Sequence, residues 1–458
     1  MSTATRGTRE QMAVTRPLRI VQLTPGTGSS YCGNCLRDSA LLGGLRRLGH
    51  DATMASLYLP TYTEDGELPS RVFMGGINMY LRHRAPLFAR AAAATRTWLD
   101  RPGLLRWASR MSDMTDAAKH ADLTVAMLEG DESPELQTML DHLEEHDRPD
   151  VVCLCNALLV GLAGPIRRRL GVPVVMTMHG EDAYLDSLPE PYRSQAWQAM
   201  RDRATDVDAF VGVSRYYADV MAERMAIPAE RLRVVHNGIH PANPDPRAAP
   251  DAFTIGYLAR MCSDKGLDTL VDAFIELAAR GHDAVTLNAA GVLLKPDRAY
   301  VAEQERKLRN AGLADRARFS GNVTADEKHA MLRTLSVLSV PALYGEAFGL
   351  YLIEAMSHGV PVVQPHHAAF PEIIERTQGG LLCEPGDATS LAETIERLIG
   401  DPSLAATLGA AGHRAVHSGM TADHMAEDFA RILHESVDGA RERPVPSHAI
   451  EDAAPADA

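Results

Sequence analysis

The chain has 458 residues, 45% apolar and 5% aromatic, with a formal net charge of −14. That length holds two ordinary domains, each with its own core, and the acidic balance argues against nonspecific nucleic-acid binding, which needs a basic surface to neutralise phosphates. No apolar run reaches the ~18 residues of a membrane-spanning helix, residues 1–16 lack a signal peptide's apolar segment, and six cysteines in so long a chain do not suggest a disulfide scaffold, so a cytoplasmic location is the expectation.

Residues 1–16 read as a disordered leader. From Leu18, short apolar strands alternate with longer amphipathic helices, which implies parallel sheets covered by helices on both faces. Strands are predicted at 18–24, 51–57, 150–155, 173–178, 208–213 and 232–236, so residues 17–240 form one Rossmann-like domain. PANPDPRAAP (241–250), with four prolines in ten residues, is a linker by composition. A second alternation follows, with strands near 253–258, 284–290, 316–320, 335–340 and 360–364 and helices over 266–280, 299–311 and 349–358. Residues 251–415 form the second domain, helices continue from about 388 to 437, and residues 438–458, rich in Ala, Pro and acid, read as a disordered tail. The fold class expected is α/β: two doubly wound Rossmann-like domains facing each other across a cleft, with ligands just outside the carboxyl ends of the strands.

Several motifs fall at those ends. Pro25-Gly26-Thr27-Gly28-Ser29-Ser30 follows the first strand, and Gly26 and Gly28 would let backbone approach a phosphate or sugar closely. A dinucleotide fingerprint needs a third glycine where Tyr31 stands and an acid that Leu57-Tyr58-Leu59 does not offer, so NAD is disfavoured. Next comes Cys32-Gly33-Asn34-Cys35 at the start of the first helix, where a thiol pKa would fall. Cys153 and Cys155 end a strand facing the same crevice. A four-sulfur zinc site or a reversible disulfide are two readings of these four residues; small, reduced, packed thiols are the plainer one. His179-Gly180-Glu181-Asp182 ends the strand VPVVMTM, where a histidine reaches a substrate. Ser214 is a helix N-cap. His236-Asn237-Gly238-Ile239-His240 is a turn by its Asn-Gly pair and is expected to face the cleft.

In the second half, Arg260 leaves a strand end and Lys265 begins a helix five positions on, two cations suited to a diphosphate leaving group. Glu346 and Glu354 stand eight positions apart in PALYGEAFGLYLIEAMSHGVPVV (341–363). Phe348-Gly349-Leu350 between them is the helix start, where free N–H groups and the dipole favour an anion. Glu346 would grip sugar hydroxyls at the mouth, with Glu354 two turns deeper.

These motifs resemble those of the retaining GT-B glycosyltransferases of family 4: the Glu-x7-Glu pair with Gly-Val-Pro-Val-Val (359–363), Gly256-Tyr257-Leu258-Ala259-Arg260 followed by Lys265-Gly266, and Phe319-Ser320-Gly321. Pro371-Glu372-Ile373-Ile374 also fits, although His366-His367-Ala368-Ala369-Phe370 replaces a Gly-rich segment. The resemblance covers roughly residues 18–435. It implies a hexosyltransferase-like enzyme that takes a UDP-, GDP- or ADP-sugar as co-substrate, needs no metal or other cofactor, and delivers the sugar to a glycan, lipid or small-molecule acceptor. It assigns sugar contact to His179, phosphate clamping to Arg260 and Lys265, sugar hydroxyls to Glu346 and the ribose to Glu354. Donor-binding backbone would come from Gly26, Gly28, Asn237, Gly238, Phe348, Gly349 and Leu350. It also implies that residues 416–437 pack back on the first domain.

Two features lie outside that set. Asp206-Val207-Asp208 could bind a divalent metal, but it falls at the amino end of a strand and reads as a turn. Residues 82–110 hold seven Arg and one acid among Leu, Phe and Trp. A solvated or acceptor-facing helix is the preferred reading; a peripheral contact with an anionic inner membrane surface is the other. The competing function is a redox- or zinc-responsive sugar-nucleotide-binding protein on the same scaffold, built around Cys32, Cys35, Cys153 and Cys155.

Overall fold

The computed structural model describes residues 16–26, 33–58, 62–63, 66–67, 73, 120–130, 133–241 and 252–442. Gly28, Cys32, residues 82–110 and nearly all of the expected leader, linker and tail lie outside them.

In the first half, strand β1 (Arg19–Thr24) leads to helix α1 (Gly33–Arg47) and β2 (Asp51–Ser56). Four further strands follow: β3 (Val151–Leu154), β4 (Val174–Met178), β5 (Ala209–Gly212) and β6 (Leu232–Val234), with helix α2 (Arg215–Met225) between the last two. The sheet is parallel throughout, in the order β2-β1-β3-β4-β5-β6. β3, β4 and β5 are buried along their whole length, which is why they read as unbroken apolar runs and not as alternating patterns.

The second half repeats the plan. β7 (Thr254–Leu258) is followed by helix α3 (Leu267–Ala279), β8 (Thr286–Gly291), β9 (Ala317–Gly321), helix α4 (Ala325–Thr334), β10 (Val337–Leu338), helix α5 (Leu350–Ser357), β11 (Val362–Pro365), helix α6 (Phe370–Thr377) and β12 (Gly380–Cys383). Its parallel order is β9-β8-β7-β10-β11-β12. The order reverses between β7 and β10, and that switch point is where open α/β sheets bind ligands. The edge strand β12 is absent from the sequence expectations.

Helix α7 (Pro402–Gly419) packs on α5 and α6 of the second half, whereas α8 (Ala422–Arg441) packs on α1 of the first. The chain therefore crosses back at Met420–Thr421, where Ile239 and Thr421 form a bridge, and not at 416. The last helix also outruns the expected end at 437. Leu433, Phe429, Ala426 and Met425 of α8 and Leu41, Leu42 and Leu45 of α1 share one core with Ile20, Val175 and Val211 of the first sheet. No described helix is long and apolar enough to cross a membrane.

Candidate active site

The loops that leave β7 and β10 bring the charged residues together. After β7, the Tyr257 hydroxyl donates to the carbonyl of Arg260 at 2.8 Å. Arg260 then turns Nε and Nη2 onto Asp297 (2.8 and 3.1 Å), leaving Nη1 without a partner among the described residues. Lys265 closes a single turn of 3₁₀ helix, and Gly266 follows with φ +67°. A side chain at Gly266 would run into the carbonyl oxygen of Pro341, so only glycine brings this turn against the β10 loop.

Glu346 lies in that second loop. Its Oε2 accepts from Lys265 Nζ at 2.6 Å, from Tyr344 Oη at 2.9 Å and from Tyr351 Oη at 3.0 Å. Lys265 also donates to the Tyr344 hydroxyl and lies over the faces of both tyrosine rings, adding cation–π attraction. Burial, and then the Glu346 charge, push both phenols up, so they remain hydrogen-bond donors. Three donors thus share one carboxylate oxygen, and Oε1 carries no hydrogen bond from a described residue.

Helix α5 begins at Leu350 after Gly349, whose φ is +82°. Phe348 is buried beneath it. Glu354 accepts from Lys328 Nζ at 2.8 Å. The sequence reading placed Glu354 the deeper of the two glutamates; their side chains are 18% and 12% exposed, so Glu346 is the more enclosed.

The first half supplies the opposite wall. His179 follows β4, and its Nε2 is buried without a partner among the described residues. Burial, followed by the Arg37 guanidinium, holds its imidazole well below the usual histidine range, so the ring is neutral. Glu181 braces this loop: Oε1 accepts from Ala157 N, and Oε2 from His179 N, Gly180 N and the Tyr217 hydroxyl, at 2.8 to 3.1 Å. The two halves touch close by. Ser214 caps α2 by accepting from Tyr217 N and donates its own hydrogen to the Ala347 carbonyl at 2.6 Å. A side chain at Gly180 would lie 3.8 Å from Ala347.

Other expected site residues lie apart from this centre. The Asn237 side chain turns inward to accept from Arg37 Nε at 3.2 Å, and Gly238 packs against Thr421 where the chain crosses back. Gly26 has φ +84° at the end of β1. Cys35 is buried, and Cys153 and Cys155 are buried free thiols. Burial pushes the Cys153 thiol up to about 12 and raises that of Cys155 well above its ordinary value, the reverse of a reactive thiolate. No group of three or more His, Cys, Asp or Glu among the described residues could hold a metal ion, so the redox- or zinc-responsive reading is unsupported there. Asp208 serves as a turn, accepting from Val174 N at 2.8 Å. Sequence reasoning missed Asp297, Tyr344, Tyr351, Glu181 and Lys328. Tyr344 and Tyr351, so near Glu346 in the chain, were the most findable of these.

Residues 131–243 match the family model described as Glycosyltransferase Family 4, and residues 242–415 match that of Glycosyl transferases group 1. The chain is 26% identical over 389 residues to an exopolysaccharide phosphotransferase of Streptomyces coelicolor, a match that covers 82% of this chain and 39% of that protein. It is 28% identical over 267 residues to the 2-deoxystreptamine glucosyltransferase of Streptomyces kanamyceticus, covering 53% of this chain and 65% of that one. The chain therefore spans less than two thirds of the length of either relative. Among solved structures, HepE of Anabaena in complex with UDP superposes with a TM-score of 0.64 at 17% identity, over 91% of this chain and 99% of HepE; the likeness is one of fold. The two family matches, which meet at residues 242–243, together run from 131 to 415, and the paired Rossmann-like sheets give this chain the GT-B fold.

Proposed function

We propose that the chain is a retaining glycosyltransferase that moves a hexose-type sugar from a nucleotide sugar to a glycan, lipid or small-molecule acceptor. The observation that carries this reading is the Lys265–Glu346 pair at the switch point of the second sheet. A cation for a leaving diphosphate and a carboxylate for sugar hydroxyls stand 2.6 Å apart there. That HepE, which shares the fold, was solved in complex with UDP supports a nucleotide ligand.

In the resting protein the two groups neutralise each other. A bound donor inserts its phosphate oxygens beside Lys265 and its hydroxyls beside Oε1 of Glu346, while the two tyrosines keep Oε2 in place. Transfer then runs on one face of the sugar. The bond from the anomeric carbon to the diphosphate oxygen breaks, and the acceptor hydroxyl oxygen bonds that carbon from the same side. The hydroxyl proton passes to the departing phosphate oxygen. Lys265 and Arg260 Nη1 stabilise the charge that grows there, where preorganised cations have most effect, and they take the part a divalent metal has elsewhere. Neutral His179, whose Nε2 has no hydrogen-bond partner among the described residues, contacts the sugar beside the reacting carbon.

A thermal-shift panel with UDP, GDP, ADP and their glucose and mannose conjugates, with and without EDTA, tests this. Stabilisation by one nucleotide family, unchanged by EDTA, is expected. A protein that responds to none of them is not a nucleotide-sugar transferase.

A further inference from the structure

Helix α4 turns Lys328, Met331 and Leu332 inward. That spacing is the stripe by which an amphipathic helix docks, yet its first position holds a lysine. Lys328 is 7% exposed. An ammonium so enclosed is costly unless it is paired, and among the described residues it pairs with Glu354 Oε1, 2.8 Å away on α5.

The pair sits on a functional face. Along α5, Leu350 and Glu354 are only partly buried, while Tyr351, Leu352, Ile353, Ala355 and Met356 are buried. Leu350 lies 3.6 Å from the position of a Cβ on Gly33, at the start of α1 in the other half. One helical turn later, on the same side, Glu354 therefore looks toward the cleft. Lys328 holds Oε1, and no described residue hydrogen-bonds Oε2.

We propose that Lys328 is a positioning residue for nucleotide recognition: by holding one oxygen of Glu354 it aims the other at the 2′- and 3′-hydroxyls of the donor's ribose. This rests on the nucleotide-sugar reading of the cleft. A leucine at 328 would complete the apolar stripe but leave the carboxylate free to rotate. The lysine exchanges packing for a fixed acceptor, which narrows the site to ribonucleotides over their deoxy forms. Helix α4 has other ties, through Met331, Leu332 and the His329–His358 contact at 3.0 Å, so loss of the ammonium leaves it docked.

The test is calorimetric titration of the full chain with UDP, GDP and ADP, then with the 2′-deoxy and 3′-deoxy forms of the one that binds tightest. Wild type is compared with Lys328→Met, Lys328→Arg and the neutral pair Lys328→Met/Glu354→Gln. The expected result is that Lys328→Met weakens the ribonucleotide about tenfold, the effect of losing a well-aimed bond to a charged group, and leaves the deoxy forms unchanged; Lys328→Arg recovers part of the loss. Equal weakening of ribo and deoxy forms, or no weakening, overturns the proposal and makes the pair a packing contact. If Lys328→Met does not fold, Lys328→Gln, which keeps a polar group beside Glu354 but not the charge, carries the same comparison, and the neutral pair serves only to show that the helix folds without the ion pair. Wild type that binds none of the three nucleotides overturns the transferase reading, and this inference with it.

Discussion

Glu372, in the first turn of α6, lies 2.7 Å from Nε2 of His236, beyond the end of β6 in the opposite half. The same carboxylate accepts from the backbone N–H groups of Arg215 and Tyr216 at 2.9 and 3.1 Å, the exposed donors that start α2. One side chain of the second sheet's half thus caps a helix of the first. Burial pushes Glu372 up, but the His236 bond and the two N–H groups together outweigh it and hold the carboxyl below the usual glutamate value. A depressed folded value means stability that is present above the ordinary glutamate range and lost as pH falls through the folded one. We expect Glu372→Gln to lower Tm by about 2–4 °C at pH 7, and the gap from wild type to close below about pH 4. A gap that is constant with pH would show that the charge does not join the halves.

Lys265→Met removes the cation at the proposed leaving group but leaves Glu346 two tyrosine hydroxyls. Transfer should fall at least about a hundredfold, with Tm nearly unchanged. Near-normal turnover in this variant would break the assignment. Tyr351→Phe, which removes one of the bonds on Oε2, should cost less than the lysine, and raise the donor KM more than it lowers kcat if it only steadies Glu346.

His179 should remain neutral through the physiological range. Burial, then Arg37, lowers its value. The unfolded chain therefore takes up this proton more readily, and the histidine's contribution is lost as pH drops below the ordinary histidine value of about 6.5. In carbon-13 spectra of the histidine-labelled protein, the His179 signal, assigned by its absence in His179→Gln, should show no titration between pH 8 and 6. Arg37→Met should bring the onset of protonation to higher pH, since it removes a repelling cation. A His179 that titrates like a free imidazole in the wild type would contradict its burial.

The strands were legible because they are buried on both faces and so stand out as apolar runs between polar turns. β12 escaped because Gly380-Leu381-Leu382-Cys383 is short, sits behind Gly379 and runs into Glu384-Pro385, all of which read as loop. At the site, Lys265 and Glu346 were each legible from local motifs. Their contact across 81 positions was not, because it depends on Gly266 letting two loops approach. Asp297 and Lys328 carry no local signal: each is defined by a partner 37 or 26 residues distant. For Asn237, the Asn-Gly pair announces a turn but not the direction of the side chain, which Arg37 decides.

Cys153 and Cys155 should resist thiol reagents in the folded protein. With Cys153 raised to about 12 by burial, only about one molecule in 10⁴ carries that thiolate at pH 8. Iodoacetamide at pH 8, read by peptide mass spectrometry, should leave both unlabelled until the chain is unfolded. Rapid native labelling at either position would restore the redox reading.

Gly266 and Gly312 share a left-handed backbone, φ +67° and +72°, but differ in what surrounds them. Around Gly312 a Cβ would meet nothing within 4 Å, whereas at Gly266 it would strike the Pro341 carbonyl. Gly312→Ala should therefore cost only the left-handed penalty, about 1–2 kcal/mol, and leave transfer intact. Gly266→Ala carries the same penalty and also forces the Lys265 turn away from the β10 loop, stretching the bond to Glu346. Its loss in urea unfolding should exceed that of Gly312→Ala by at least about 1 kcal/mol, and transfer should fall as well, because a clamp that is 1 Å out of place forfeits much of its effect. If the two alanine variants lose equal stability and both remain active, the approach of the two loops does not set the geometry of the Lys265–Glu346 pair.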